Sequence, residues 1–176
     1  RGADVTLVAA HMEASQPMFV EVVPVKNAKD MFDAVTSRAS EMDIIIKAAA
    51  VADYTPETQA DSKMKREKTG AMTLNLVPTQ DIAAALGKSK KEEQLMIGFA
   101  LETDNEEVNA IDKCKRKNLD FIVLNSLNDK NAGFRYDTNK VTIFDKNGGK
   151  FPFDLKSKSL VARDIIDHAV KILKDK

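Results

Sequence analysis

The sequence predicts an α/β fold in which a mostly parallel sheet is covered by helices on both faces. Two observations favour this class. Apolar runs of strand length alternate along the chain with segments whose apolar residues recur near the helical period. The 176 residues, 43% hydrophobic and 31% charged, have the size and composition of one globular domain, and no repeat or linker divides them. We therefore predict a single domain over residues 1–176.

The first half of the chain contains three predicted strands and one helix. Residues 4–10, 18–25 and 43–46 are the strands, because each is an apolar run rich in β-branched residues. Asn27 is placed to cap the helix. The apolar residues of that helix recur near the 3.6-residue period at Met31, Phe32, Val35 and Ala39. A polar, charged loop is predicted over residues 55–69.

The middle of the chain continues the alternation of strands and helices. Residues 74–77 alternate like a short strand, and Thr79 is placed to cap a helix that Gly87 closes. Two apolar strands and the helix between them follow at residues 95–100, 121–124 and 104–117. These elements extend the predicted parallel sheet.

The C-terminal part has a different pattern. Residues 141–144 and 151–153 flank Asn147-Gly148-Gly149, which is typical of a hairpin whose Asn and Gly take positive φ. A last helix beginning near Ser159 would carry its apolar face at Leu160, Ile165, Ile166, Ala169, Val170 and Leu173. Together the elements predict a Rossmann-like three-layer sandwich with a mostly parallel sheet and an appended β-hairpin.

The start of the chain lacks the phosphate loop that nucleotide-binding α/β units carry after their first strand. Its seven glycines form neither Gly-x-Gly-x-x-Gly nor a P-loop. Arg1-Gly2-Ala3, directly before an apolar run, is typical of the turn into a second strand. We predict that the first strand and its Gly-rich loop are missing from this sequence. The alternative is that the fold starts with the strand at residues 4–10.

Composition excludes several classes of protein. Basic and acidic residues number 27 each, so no bulk positive field favours nucleic acid or an anionic membrane. No stretch approaches the roughly 20 apolar residues of a membrane span. Cys114 has no second cysteine to pair with, which fits a reducing, cytoplasmic compartment. His11 and His168 are isolated from each other, so we predict no metal-ligating residues.

Candidate site residues follow the strands, because ligands of open α/β sheets bind beyond the carboxyl ends of the strands. Four groups satisfy this rule: Asp53 and Tyr54, Thr79 to Asp81, Phe99 to Thr103, and Asn125. Ala48 to Ala50 would let a ligand approach the backbone, or would equally serve tight packing of a helix on the sheet. Cys114 is more typical of a small buried residue than of a nucleophile.

Two groups of cations could meet a polyphosphate. Lys63, Lys65 and Arg66 lie in the predicted loop, and a solvated run of charge is the alternative. Lys113 and Lys117 are spaced i, i+4 and share one helix face, for which a solvated face is again the alternative. The residues by themselves thus indicate an α/β domain with features of a nucleotide site.

Four segments in order carry a resemblance to a known family. They are Ala48-Ala49-Ala50-Val51-Ala52-Asp53-Tyr54, Lys63-Met64-Lys65-Arg66, Pro78-Thr79-Gln80-Asp81-Ile82 and Gly98-Phe99-Ala100-Leu101-Glu102-Thr103. The set resembles the phosphopantothenoylcysteine synthetase domain, the ligase half of the bifunctional coenzyme A biosynthesis flavoprotein. The similarity continues through residues 113–120, Asn125, Phe134 and residues 139–144. Each motif is weak alone, whereas the ordered set is specific.

The resemblance implies a two-step ligation in coenzyme A biosynthesis. The carboxylate of 4'-phosphopantothenate attacks the α-phosphate of CTP, with Mg²⁺, and cysteine then displaces the nucleotide. It also implies a homodimer built in part by the hairpin at residues 141–153. A flavin-dependent decarboxylase fused to or associated with the domain is implied as well. No flavin is expected in this domain itself.

The resemblance also assigns roles to residues. Lys63 matches the family's essential lysine of a mobile loop and is the predicted catalytic residue. The predicted nucleotide-binding residues are Ala49, Asp53, Gln80, Asp81, Ile82, Phe99, Lys113 and Lys117. The sequence departs from the family at Leu101, where the pattern has alanine, and at residues 10–14, where a Gly-Pro turn is common. The family's Gly-rich N-terminal segment and its asparagine loop have no counterpart here.

Two other functions compete with the ligase. One is a fragment of a Rossmann-like NAD(P)-dependent oxidoreductase, against which the absence of a dinucleotide loop and of a Tyr-x-x-x-Lys pair counts. The other is a non-catalytic nucleotide-binding domain, against which Asp53, Lys63 and Lys117 count.

Overall fold

The computed structural model describes residues 2–12, 14–64, 72–126 and 136–175. The strands are β1 (Thr6–Ala9), β2 (Glu21–Pro24), β3 (Ile44–Lys47), β4 (Tyr54–Pro56), β5 (Leu76–Pro78), β6 (Leu95–Glu102), β7 (Phe121–Ser126), β8 (Thr138–Asp145) and β9 (Lys150–Ser157). The helices are α1 (Ala28–Thr36), α2 (Ile82–Ser89), α3 (Glu106–Arg116) and α4 (Lys158–Lys174).

Contacts divide the chain into two compact units. The first unit comprises Arg1–Val35 and Ala50–Asp81, and the second comprises Thr36–Ala49 and Ile82–Lys176. The prediction of a single domain stays a prediction.

The second unit contains a five-stranded sheet in the order β3-β6-β7-β8-β9. The pairs β3–β6 and β6–β7 are parallel, while β7–β8 and β8–β9 are antiparallel. A parallel sheet extended by a β-hairpin is therefore confirmed. The parallel pairs bring the carboxyl ends of β3, β6 and β7 to one edge of the sheet.

The core of the second unit lies between this sheet and α4. Its members are fully or nearly fully buried: Leu95, Ile97, Phe121, Val123, Val141, Ile143, Val161, Ile165 and Ala169. Because side chains alternate along a strand, Gly98 faces the opposite side of β6. There Leu119, just after α3, packs so closely that a Cβ on Gly98 would lie 2.6 Å from its Cδ1. Helices on both faces confirm the three-layer arrangement within this unit.

The buried face of α4 differs from the predicted one. Val161, Ile165 and Ala169 are buried at a spacing of four residues, whereas Leu160 is 44% exposed. Ser157 caps the helix by accepting a hydrogen bond from the Leu160 N–H at 3.4 Å. The prediction for Leu160 is therefore wrong, because the face that packs in the core runs through Val161, Ile165 and Ala169.

Two predicted boundaries of α2 are also wrong. The helix begins at Ile82, three residues after Thr79, and the Thr79 hydroxyl donates to the carbonyl of Ala52 at 2.7 Å. Gly87 lies inside the helix, which continues to Ser89, and does not close it. Close packing accounts for this glycine, since a Cβ there would lie 2.2 Å from the Lys117 carbonyl oxygen.

The hairpin turn between β8 and β9 has one residue with positive φ. Gly148 has φ +90°, whereas Asn147 does not have positive φ, so that half of the prediction is wrong. The Asp145 carboxylate shapes the turn instead, because its Oδ1 accepts from the N–H groups of Asn147 and Gly149, both at 2.8 Å.

The first unit contains two small sheets and α1. Strands β1 and β2 pair in parallel, and β4 and β5 pair antiparallel. Asn27 caps α1 as predicted, since its Oδ1 accepts from the Asp30 N–H at 2.8 Å. The sequence does not predict β4, whose last two residues fall in the predicted polar loop. Helix α1 ends before Ala39, which belongs to a 3₁₀ turn.

The N-terminal strands are shorter than the apolar runs predict. Phe19, in the predicted second strand, is 99% exposed with φ 60°, and β2 begins only at Glu21. Within the described residues β1 pairs with β2 alone. A further strand beside β1 stays a prediction, and Arg1 and Glu13 lie outside the described residues.

Candidate functional site

The carboxyl edge of the parallel strands gathers three of the predicted groups in the second unit. Lys47 at the end of β3 is level with Gly98, and Leu101 is level with Asn125. Ala49, which follows β3, and the segment Phe99 to Glu102 therefore meet at this edge. Asn125 is tied into the sheet, because its Oδ1 accepts from Asn139 Nδ2 at 3.0 Å.

Lys113 reaches this edge from α3. The Leu95 N–H donates to the Asp43 carbonyl, so every second residue of β6, including Phe99, directs its main-chain groups toward β3. Because β3 ends at Lys47, its ladder with β6 does not extend to the Phe99 carbonyl. The Lys113 ammonium donates to that carbonyl at 3.0 Å. A half-buried cation thus lies where β3 leaves the sheet.

Two predicted nucleotide contacts present their main chain and not their side chain. The Phe99 side chain packs against the core on the α4 face. Ile82, the first residue of α2, is only 3% exposed. A ligand at the carboxyl edge would therefore meet the Phe99 carbonyl and the first N–H groups of α2. The sequence motif indicates the positions but not which atoms they offer.

Lys117 lies one turn after Lys113, at the C-terminal end of α3 and on the same helix face. It is the C-cap of the helix, and its N–H donates to the Lys113 carbonyl at 3.0 Å. Its side chain is half-buried. The i, i+4 spacing is therefore realised in a helix, while the role of both lysines stays a prediction.

A groove beside α3 is not among the features that the sequence predicts. It has a volume of about 670 Å³ and is lined by Glu102, Asn109, Asp112, Lys113, Lys115 and Arg116. Asn109 connects the helix to the end of β6, since its Nδ2 donates to the Asp104 carbonyl at 2.9 Å and to Glu102 Oε2 at 3.5 Å. The spacing of residues 109, 112, 113 and 116 along one helix face could have indicated this groove.

The first unit holds the other predicted contacts. The Thr79 N–H donates to the Asp53 carbonyl at 2.8 Å, which places Asp53 opposite Thr79, the residue before Gln80, at one end of the β4–β5 pair. Asp53, Gln80 and Asp81 are exposed, as is Tyr54. The structure therefore brings two of the predicted groups together in this unit.

Lys63 is an exposed residue of the segment between β4 and β5. Lys65 and Arg66, the other members of the predicted cationic group, lie outside the described residues, as does Phe134. The predicted site residues thus fall into two sets. The first unit contains Asp53, Lys63, Gln80 and Asp81, and the second contains Ala49, Ile82, Phe99, Lys113 and Lys117.

Cys114 is a buried packing residue. Its Sγ donates to the Leu119 carbonyl at 3.5 Å, and burial raises the pKa of the thiol to about 11. Within the described ranges, no three His, Cys, Asp or Glu side chains gather in a way that could hold a metal ion. Over those same residues, no helix has the length and apolar character that crossing a bilayer requires.

The chain is similar to proteins of one known family. The family model of the DNA/pantothenate metabolism flavoprotein C-terminal domain matches residues 1–173. The coenzyme A biosynthesis bifunctional protein CoaBC of Bacillus subtilis is 45% identical over 174 residues, which are 98% of this chain and 42% of that protein. A protein of an unknown prokaryotic organism, named cysteine/cysteine sulfinic acid decarboxylase, is 53% identical over 168 residues, 94% of this chain and 46% of its own length.

The chain thus spans less than half the length of these curated relatives. Among solved structures, the crystal structure of the C-terminal domain of CoaBC superposes with a TM-score of 0.82 at 35% identity. That superposition covers 99% of this chain and 77% of the other.

Proposed function

Because this chain belongs to the DNA/pantothenate metabolism flavoprotein C-terminal domain family, we propose that it carries a phosphopantothenate–cysteine ligase activity in coenzyme A biosynthesis. The observation that supports it best is the Lys113 ammonium on the Phe99 carbonyl, 3.0 Å away, at the carboxyl edge of the parallel strands. Such an edge is where open α/β sheets bind nucleotides. A cation held there by a main-chain oxygen is available to an anionic ligand.

The proposed nucleotide is CTP. Phe99 and Leu101 are two residues apart on β6, so their main-chain N–H and C=O groups point the same way. They point to the edge of β6 on the β3 side, beyond the last residue of β3. An acceptor carbonyl followed by a donor N–H complements a base that offers an amino group beside a ring nitrogen, as cytosine and adenine do. Uracil offers a carbonyl oxygen at the same place. The choice of cytosine over adenine rests on the family resemblance.

The proposed chemistry has two steps. A carboxylate oxygen of 4'-phosphopantothenate bonds to the α-phosphorus of CTP as the bond to pyrophosphate breaks. The cysteine amine then bonds to the acyl carbon, CMP leaves, and the amine loses a proton. The first step brings two anions together, and in the second negative charge develops on the acyl oxygen and on the leaving CMP, so preorganised cations stabilise both transition states. Lys63 is the proposed catalytic cation, and Mg²⁺ would arrive bound to the triphosphate.

The remaining expectations are part of the same proposal. We place the protein in the cytoplasm as a homodimer, with a flavin-dependent decarboxylase as its fusion or association partner. The decarboxylase in the name of one relative describes that protein, of which this chain matches 46%. No feature of the described residues favours an oxidoreductase, nor do the comparisons.

The test uses the full natural protein. We expect CTP with Mg²⁺ to raise the melting temperature more than ATP with Mg²⁺, and UTP or NAD to have little effect. Pyrophosphate release should require 4'-phosphopantothenate, and mass spectrometry should detect phosphopantothenoylcysteine only when cysteine is added. Stabilisation by NAD without pyrophosphate release would favour the oxidoreductase. Stabilisation by CTP without turnover would favour a non-catalytic nucleotide-binding domain.

A further inference from the structure

Helix α2 crosses the end of α3 at a contact that only glycine permits. A Cβ on Gly87 would lie 2.2 Å from the Lys117 carbonyl oxygen, 2.9 Å from its carbonyl carbon and 3.3 Å from the Asn118 Cβ. The first two atoms are backbone and cannot rotate away. Glycine is a poor helix former, yet Gly87 lies inside α2. The contact with the backbone of Lys117 therefore accounts for this residue.

Asn118 fixes the same contact a second time. Its Nδ2 donates to the Gly87 carbonyl at 2.8 Å. Its backbone has φ 52°, in the left-handed region that Asn tolerates better than most residues other than glycine. Its N–H also donates to the Lys115 carbonyl at 3.1 Å. The turn that ends α3 thus packs directly on α2 for two reasons. Gly87 has no side chain to keep the turn away, and the Asn118 side chain donates a hydrogen bond to the Gly87 carbonyl.

The residue enclosed by these contacts is Lys117. Its N–H is bonded to the Lys113 carbonyl within α3, and its own carbonyl lies against Gly87 of α2. A lysine side chain has four rotatable bonds, so the place its ammonium can reach depends on where its backbone is fixed. The helix that fixes it begins at Ile82, another predicted nucleotide contact.

We propose that Gly87 and Asn118 are positioning residues that fix Lys117 for its contact with the nucleotide. This inference rests on the proposed function, because it takes Lys117 as a nucleotide-binding residue. Neither residue touches the nucleotide. Both act through the backbone of Lys117, because both belong to the same contact between α2 and the end of α3.

The test compares steady-state kinetics of full-length Asn118→Gly and Gly87→Ala with those of Lys117→Ala. Asn118→Gly keeps the left-handed backbone and removes only the hydrogen bond, so we expect KM for CTP to rise about fivefold, as for one lost hydrogen bond. Gly87→Ala should raise it further, because the backbone of Lys117 must move. KM for cysteine should stay unchanged in both. The double variant should be no worse than Gly87→Ala alone, since both changes release the same contact.

Ser157→Ala is the matched control. It removes the side-chain cap of α4 in the same unit, outside the predicted site and the predicted dimer hairpin, and should lower the melting temperature without changing KM for CTP. If Gly87→Ala and Asn118→Gly behave like this control, their role is structural and the inference is overturned. If Lys117→Ala leaves KM for CTP unchanged, the inference is overturned while the ligase proposal stands. Absence of CTP-dependent turnover in the unaltered protein would overturn both.

Discussion

Lys90 and Asp120 form an ion pair inside the second unit, with Nζ and Oδ2 2.9 Å apart and side chains only 8% and 1% exposed. Lys146 Nζ approaches the other carboxylate oxygen at 2.8 Å, and the Met96 N–H donates to Oδ2 at 2.8 Å. Burial by itself would raise the pKa of Asp120, but the hydrogen bonds from Lys146, Met96 and Lys90 hold it below its ordinary value. This carboxylate therefore connects β6, the start of β7 and the hairpin turn.

Removing the charge of Asp120 should destabilise the fold. Asp120→Asn keeps the volume but leaves the ammonium of Lys90 buried without its counter-charge, which typically costs about 3–5 kcal/mol. Urea unfolding measures the change in free energy. Lys146→Met is the control, because that side chain is 47% exposed and its loss leaves Lys90 paired. An effect of Asp120→Asn no larger than that of Lys146→Met would contradict the assignment.

The same carboxylate predicts a pH dependence of stability. Its pKa in the folded state is lowered from 3.8, so the folded protein binds the proton less readily than the unfolded chain does. The stabilisation is therefore complete above the unfolded pKa and is lost as pH falls through the folded pKa. We expect the unfolding free energy to decline below about pH 4 with a steeper slope in the wild type than in Asp120→Asn. Equal slopes would contradict this.

The element order could be predicted from the sequence, because apolar runs and helical periodicity report burial directly. Errors arose where a residue serves a partner distant in the chain. The sequence predicts Gly87 as a helix end, yet it accommodates the backbone of Lys117. Thr79 has the chemistry of a cap but donates to Ala52. Strand β4 is exposed and is defined only by its pairing with β5. It therefore has no apolar run by which the sequence could indicate it.

The candidate site could be predicted as a set of positions but not as a set of atoms. The motif indicates Phe99 and Ile82, and the structure shows that their side chains belong to the interior. Lys113 could be placed on a helix face by its spacing, whereas its bond to the Phe99 carbonyl depends on where β3 ends. The residue at which β3 ends is set by its pairing with β6, and the periodicity of a single strand does not predict it.

Main-chain and side-chain contacts at Phe99 can be distinguished by substitution. Phe99→Leu should retain CTP binding within a few-fold, because the ring packs against the core and the carbonyl is unchanged. Lys113→Met should weaken CTP binding about 10- to 100-fold, the value of one hydrogen bond to a charged group. Isothermal titration calorimetry measures both dissociation constants. A larger loss in Phe99→Leu than in Lys113→Met would show that the ring touches the nucleotide.

Cys114 should be inert in the folded protein. Burial raises the pKa of its thiol to about 11, so the reactive thiolate is about one part in ten thousand at pH 7, and the residue is only 2% exposed. We expect a thiol reagent to modify Cys114 only after denaturant unfolds the chain. Stoichiometric labelling of the native protein at pH 7 would contradict the assignment of Cys114 as a packing residue.

Lys63 should matter for catalysis and not for stability. It is exposed in the segment between β4 and β5, so Lys63→Ala removes no buried contact and the melting temperature should stay within about 2 °C of the wild type. If its ammonium stabilises charge at the transition state, its loss costs about 2.7–4 kcal/mol, or 100- to 1000-fold in kcat. Lys29→Ala, another exposed lysine of the same unit, is the control and should retain full turnover.

Because the two variants lose the same charge, net charge cannot account for a difference between them. Lys63→Arg adds a second comparison, since a mobile point charge and a planar guanidinium meet phosphate oxygens differently. Pyrophosphate release in Lys63→Ala at the rate of Lys29→Ala would refute the catalytic role.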